Sequence, residues 1–169
     1  MNSNTGSPSS GSYFTTKTVC TGVATTAATT VIITPAGTGA VLQYCIKGKA
    51  YNMAAATFAT PTVDIVTGAA FLPLLANKGC VFVLAMDAGV TTMRAAQGPI
   101  VDITSSSFSG GSRSEFPVMP DTLAPFAYIV AKQSSAGTTW TFGSANWNQA
   151  ELTCAVVDVL TLPGRPQAS

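Results

Sequence analysis

The chain is punctuated too often to build helices. Short apolar and β-branched runs follow one another at roughly 8–12-residue spacing, about eight to ten of them, with Gly, Pro, Ser or Asp turn signals between, a pattern of antiparallel sandwiches and barrels. The one helical candidate, Ala69–Asn77, carries Pro73 in its middle, which limits it to a single turn. A parallel α/β fold needs repeated crossovers of a dozen or so residues, and none is present. The expected fold is all-β: an antiparallel β-sandwich or barrel-like domain with an extended polar N-terminal arm.

Individual runs support this reading. Gly39–Lys47 (GAVLQYCIK) alternates as a half-buried strand does, and Lys47–Ala50 (KGKA) reads as a tight hairpin turn. Tyr51–Phe58 is its expected return strand. Thr29–Thr34 (TTVIIT), Pro61–Gly68, Pro99–Thr104, Pro125–Gln133 and Thr138–Gly143 are further strands. Gly79–Met86 (GCVFVLAM) is apolar without alternation, followed by a turn at Asp87–Gly89 and a return strand through Met93. Leu152–Leu162 is expected to be the last and longest strand. Residues 1–14 form the expected arm and residues 15–169 a single domain. The arm starts as a Ser/Asn/Gly/Pro segment with almost nothing to bury, so it orders only against a partner. Thr104–Ser114 (TSSSFSGGSRS) is a second low-complexity loop.

Charge narrows the function. Among 169 residues there are eight Lys or Arg, seven Asp or Glu and no His, a net charge of +1. Charged residues make up 9% of the chain, against about 25% in an ordinary soluble domain. Nothing here offsets phosphates, so no nucleic-acid partner is expected. Mean hydropathy is +0.37, yet no apolar run reaches the ~18–20 residues of a spanning helix, so no membrane partner is expected. The opening MNSNTGSPSSGSYF has neither a positive start nor an apolar middle and does not read as a secretory signal.

Chemistry finds little to work with. Zero His excludes His-dependent triads and His metal ligands. Cys20, Cys45, Cys80 and Cys154 are widely spaced with no CxxC pair, so they read as free thiols behaving as small hydrophobes. Asp64, Asp102 and Asp158 each interrupt an apolar strand. They either converge as an acid/base or cation site or, as alternation suggests, each faces solvent. No phosphate loop, GxSxG elbow, calcium loop or Asn-x-Ser/Thr site is present. No enzyme activity, cofactor or metal is expected.

What remains is contact. Low charge with 47% hydrophobic residues leaves strand edges without the usual Lys guards, so much of the surface is expected to be covered by other protein. The expected interface residues are Tyr13 and Phe14 at the arm's end, Phe71, Leu72 and Leu74 around Pro73, and Trp140 and Trp147 in WTFGSANW. The apolar and aromatic groups among them serve equally well as core. The two tryptophans would form a carbohydrate-stacking platform if they faced solvent.

The segments FLPLLANKGCVFVLAMDAG (Phe71–Gly89), AAQGPIVDI (Ala95–Ile103), SEFPVMPDTLAPFAYIVAK (Ser114–Lys132), WTFGSANWN (Trp140–Asn148) and VVDVLTLPGRP (Val156–Pro166) resemble a family of small tailed-bacteriophage virion structural proteins. Within that class, a short β chain with a polar arm is most similar to capsid decoration (cement) proteins. The resemblance implies a homotrimer on the capsid exterior, at local three-fold positions, clamping neighbouring major capsid protein subunits, with assembly in the host cytoplasm. It implies no catalytic residue. A tail, fibre or head-fibre component binding a host surface glycan through Thr104–Ser114 and Ser134–Gly137 is the alternative.

Overall fold

The computed structural model describes residues 12–21, 30–36, 41–89, 92–104, 107–108, 114–135, 138–163 and 166. Among them are twelve strands and no helix. In chain order they are β1 (Tyr13–Phe14), β2 (Thr18–Thr21), β3 (Thr30–Pro35), β4 (Val41–Ile46), β5 (Lys49–Ala54) and β6 (Ala56–Ala59). Then follow β7 (Lys78–Met86), β8 (Met93–Gln97), β9 (Val101–Thr104), β10 (Ser107–Phe108), β11 (Ala124–Gln133) and β12 (Leu152–Asp158).

The strands form three sheets. A six-stranded sheet runs β10-β9-β7-β11-β12, with β8 also paired to β7. Two three-stranded sheets, β1-β4-β5 and β2-β3-β6, face it. All strand pairs are antiparallel. The arrangement is the sandwich expected from the sequence.

The unalternating apolar run becomes β7, buried at every residue after Lys78. Its partner β11 is buried along its whole length. A strand covered on both faces has no position for a polar side chain that lacks a partner. On one face Phe82, Leu84, Phe126 and Ile129 meet Val31 and Ile33 of β3 and Leu42 and Tyr44 of β4. On the other, Val81, Val83, Tyr128 and Val130 form a smaller cluster under Phe116, Met119, Val157 and Leu162. A register shift between Pro125 and Ala127 lets the consecutive residues Phe126 and Ala127 both enter the larger core. Pro125 is tolerated there because pairing with β12 begins only at Ala127.

The hairpin read from KGKA is present. Lys47 and Gly48 take φ of 50° and 80° between paired Ile46 and Lys49, the left-handed pair that two-residue hairpins favour. The return strand is not continuous. It divides into β5, which pairs with β4, and β6, which pairs with β3 in the other sheet.

Four expectations are corrected. Ala69–Asn77 contains no helical turn; Ala70 bridges Val63, and Leu74 exchanges backbone hydrogen bonds of 2.7 and 3.0 Å with Trp140. Pro61–Gly68 is not a strand, because the Asp64 carboxylate accepts from the Val66 amide at 3.0 Å and the Thr67 hydroxyl at 3.1 Å and turns the chain. Thr138–Gly143 contributes only the Trp140 bridge before turning at Gly143, whose φ is 75°. A Cβ at Gly143 would collide with the Pro61 carbonyl, so this turn needs glycine twice over. Finally, β12 stops at Asp158 and β11 is the longest strand.

The arm's end is structured. Tyr13 and Phe14 pair with Cys45 and Tyr44, while residues 1–11 lie outside the described residues. Phe14 is 1% exposed. It stacks on Tyr44 at 4.8 Å and meets Phe126 edge-on at 5.5 Å, so it joins a small sheet to the large one. Of the 104–114 loop, Ser107–Phe108 pairs with β9.

Phe14→Ala is expected to cost about 3–5 kcal/mol, the usual price of emptying a buried aromatic site. Tyr13→Ala, one residue away and facing outward, is expected to change stability by about 0.5 kcal/mol or less. Chemical denaturation of the two variants checks the contrast.

Candidate functional site

The interface residues expected from the sequence separate into two groups. Phe14, Phe71, Leu74, Trp140 and Trp147 are buried in the chain's own core. Tyr13 and Leu72 are on the surface, 39% and 64% exposed. Phe71, Trp140, Phe142 and Trp147 form an aromatic knot closing one end of the core: Phe142 stacks on Phe82 at 4.4 Å and the two tryptophans lie 5.4 Å apart. The Trp140 indole donates to the Asn146 carbonyl at 3.1 Å. Neither tryptophan ring faces solvent, so neither offers a sugar a stacking surface.

The three strand-interrupting carboxylates do not meet in a cation site. No group of three His, Cys, Asp or Glu able to hold a metal is found among the described residues. Asp102 faces solvent, as alternation suggests, and pairs with Lys78 at 2.6 Å. Asp64 is buried and closes the turn described above. Asp158 accepts from the Cys20 backbone amide at 3.0 Å, tying the last strand to β2. Each therefore has its own structural task, and only Asp102 follows the solvent-facing expectation fully.

The four cysteines are unpaired. Desolvation pushes the Cys80 thiol up to about 12, although the backbone carbonyls of Val81 and Gly98 accept from it. Desolvation likewise takes Cys154 up to about 12. Cys20 is raised by burial first and by the Asp158 charge second. Cys20, Cys80 and Cys154 are therefore inert thiols rather than nucleophiles.

The distinctive surface lies elsewhere. Across β1 to β6 a single residue is charged, Lys49, and it sits beside the hairpin turn. The outward positions of β1-β4-β5 include Tyr13, Val41, Gln43, Ala50, Asn52 and Ala54. Those of β2-β3-β6 include Val19, Thr21, Ile32, Thr34, Thr57 and Ala59. Tyr13, Val19, Ile32 and Val41 are between 36% and 45% exposed. The ion pairs of Lys47 with Asp121 at 3.0 Å, Arg94 with Asp87 at 3.1 Å and Lys78 with Asp102 lie away from these outward positions. The low charge was legible in the composition. Its concentration on one layer was not, because it depends on which strands share a sheet.

A second surface feature is the loop before β7. Val63, Val66, Leu72 and Leu75 are all at least 45% exposed. Leu72 lines a depression of about 310 Å³ together with Asp64, Ala69, Ala70, Gln97 and Ile100.

Comparison with protein families, with curated proteins and with solved structures finds no match to this chain.

The thiols make stability depend on alkaline pH. A thiol whose pKa is raised by folding is held neutral in the native state while its unfolded counterpart ionises. Its contribution is complete below pH 9, the unfolded value, and declines as pH rises toward 12. Stability is therefore expected to fall between about pH 9 and 12, and Cys80→Ala is expected to flatten that fall in denaturation curves taken across the window.

Proposed function

We propose that this chain is a structural virion subunit of a tailed bacteriophage: a capsid decoration protein that self-associates, as a homotrimer, and docks on the major capsid protein at the shell's exterior. On this reading it performs no catalysis and needs no cofactor, and it meets the shell after synthesis in the host cytoplasm.

The observation that carries the proposal is the nearly uncharged outer layer formed by β1 to β6, in which Lys49 is the single charged strand residue. A sheet face usually reaches water through polar or charged side chains. This one presents Tyr13, Val19, Ile32 and Val41 among threonines and amides. Docking such a face removes apolar area from water at ~25 cal/mol per Å² and requires almost no ion to be desolvated. Strands of two to six residues, at ~3.3 Å rise per residue and ~4.8 Å spacing, give roughly 440 Å² of projected face. That is about half of the ~800 Å² per partner of a standard-size interface, so the arm or a neighbouring surface supplies the remainder. Repeated over a lattice, modest contacts of this kind add up through multivalency. The sequence resemblance, carried by Phe71–Pro166, supports the same assignment.

The glycan-binding alternative needs aromatic rings in solvent, and the burial of Trp140 and Trp147 leaves it without that support.

Imaging and quantitative composition of purified virions test the proposal. Hundreds of copies distributed over the head are expected. A few copies, or a few dozen, confined to the tail would overturn it in favour of the fibre reading. A chain lacking residues 1–12 is expected to keep its fold, since the core begins at Phe14, and to bind shells more weakly. Unchanged shell binding would remove the arm from the interface.

A further inference from the structure

The outer edge of β5 is open. The β1-β4-β5 sheet ends on it, and its six residues pair with β4. Among the described residues no other backbone hydrogen bond reaches Lys49–Ala54. Every second residue of an antiparallel edge turns both its N–H and its C=O away from the sheet, so about three donors and three acceptors face outward. Such an edge is usually guarded by charge, most often lysine. Here the one charge, Lys49, stands at the first position with its ammonium 5.4 Å over the Tyr51 ring. Ala50, Asn52 and Ala54 are exposed.

The chain ahead of Ser12 leaves the fold at one end of this edge. Strand β1 pairs antiparallel with β4, Tyr13 opposite Cys45. Traced backward from Tyr13, the chain therefore runs toward the Lys47–Gly48 turn from which β5 starts. Asp121 marks that corner twice: its carbonyl accepts from the Ser12 hydroxyl at 2.6 Å, and its carboxylate holds Lys47 at 3.0 Å. A strand laid beyond β5 would lie three spacings from β1, or ~14 Å at ~4.8 Å each. Residues 8–11 suffice to cross that distance, since five Cα steps reach ~17 Å. Residues 1–7 then match the six of β5 in length. No charged side chain precedes Lys17, so none is desolvated when this segment is laid down.

We propose that residues 1–7, which lie outside the described residues, add to β5 of their own chain as an antiparallel fourth strand of the β1-β4-β5 sheet. The antiparallel sense comes from the trace: β5 leads away from the turn, and the chain from residue 1 to residue 11 leads toward it. Pro8 and Gly11 fall in the crossing, where turn-forming residues belong and a missing N–H removes no ladder bond. The bonds gained are main-chain bonds, so a Ser/Asn/Thr segment with almost nothing to bury can make them. The chain's own edge is favoured over a neighbour's because a short tether holds the segment beside it at an effective concentration in the mM range. The added strand widens the nearly uncharged layer by one spacing. Pairing is a property of the chain alone and does not depend on the shell.

Backbone hydrogen exchange of the full chain, free of shells, tests this against three variants: a chain lacking residues 1–7, the double variant Asn4→Pro with Thr5→Pro, and Ser9→Pro. Adjacent prolines remove a donor from the paired side whichever way the register falls, while Ser9→Pro changes only the crossing. None of them touches the core, which begins at Phe14. The outward amides of Lys49–Ala54 are expected to exchange ~10-fold more slowly in the full chain than in the truncated one. The double variant is expected to match the truncated chain and Ser9→Pro the full chain, with protection unchanged on dilution. Equal exchange in the full and truncated chains overturns the pairing, and so does protection that survives the double substitution. Protection that disappears on dilution assigns the segment to a second copy's edge and overturns the intramolecular form. Unchanged shell binding by the truncated chain, with protection lost, supports the pairing and removes the arm from the shell contact only.

Discussion

Strands β7 and β11 pair over nine registered positions, and neither has a solvent face along its central run. Two consequences follow. Both faces of the pair must be covered, which requires the two small sheets on one side and the 116–119 segment with the residues after β12 on the other. The pairing must also be held in register, because a one-residue slip would exchange the two faces throughout. The shift at Phe126 exploits this constraint: it changes the parity of β11 once and places two adjacent residues in the larger core. The positions of β3 and β4 are then determined by what Phe82, Leu84 and Phe126 leave uncovered.

The sequence was most legible where local pattern and tertiary demand agree. The alternation in Val41–Ile46 and the Lys47–Gly48 turn are local properties, and both are seen. The apolar run at Gly79–Met86, read as a strand without alternation, is buried on both sides. Legibility failed where a long-range partner decided the outcome. Tyr51–Phe58 looks like one strand, but its two halves find partners in different sheets. Ala69–Asn77 carries a weak helical tendency that loses to the backbone pairing of Leu74 with Trp140, 66 positions away in sequence. The site residues divide similarly. Phe71, Leu74 and the tryptophans are apolar enough for either core or interface, and only their neighbours decide. Leu72 is chemically indistinguishable from Leu74 in sequence, and the Gln97 amide 25 positions later sets its outward orientation.

Charge placement shows how so neutral a chain still specifies one structure. With few ionisable side chains, the ion pairs described above join distant or turning segments. Lys47 at the β4–β5 hairpin reaches Asp121 ahead of β11, and Arg94 meets Asp87 across the β7–β8 connection. Such exposed pairs contribute at most about 1 kcal/mol each, so they orient rather than hold. The stabilising work falls to apolar burial and to charge-assisted bonds such as that from the Cys20 amide to Asp158. Keeping ions off β1 to β6 has a physical cost as well as a use. An uncharged sheet face lacks the usual protection against unintended association. It is sustainable only when the face has a proper occupant, and this is why the neutrality of that layer, more than the composition of the whole chain, supports the reading of an assembly subunit.

The junction at Phe14 connects that outer layer to the rest. Its amide donates to the Leu160 carbonyl at 3.0 Å, and the Ser12 hydroxyl donates to the Asp121 carbonyl at 2.6 Å. The start of the described chain is therefore fixed both to the segment after β12 and to the segment before β11. Phe14 itself is wedged between Tyr44 and Phe126, while the Tyr44 hydroxyl donates to the Asp87 carbonyl at 2.7 Å. A pull on Ser12 is thus transmitted through one buried ring into both layers of the sandwich. Strand β1, only two residues long, is too short to hold by its own ladder. Its place depends on the aromatic contact, and any partner that engages the chain ahead of Ser12 acts on a joint already continuous with the core.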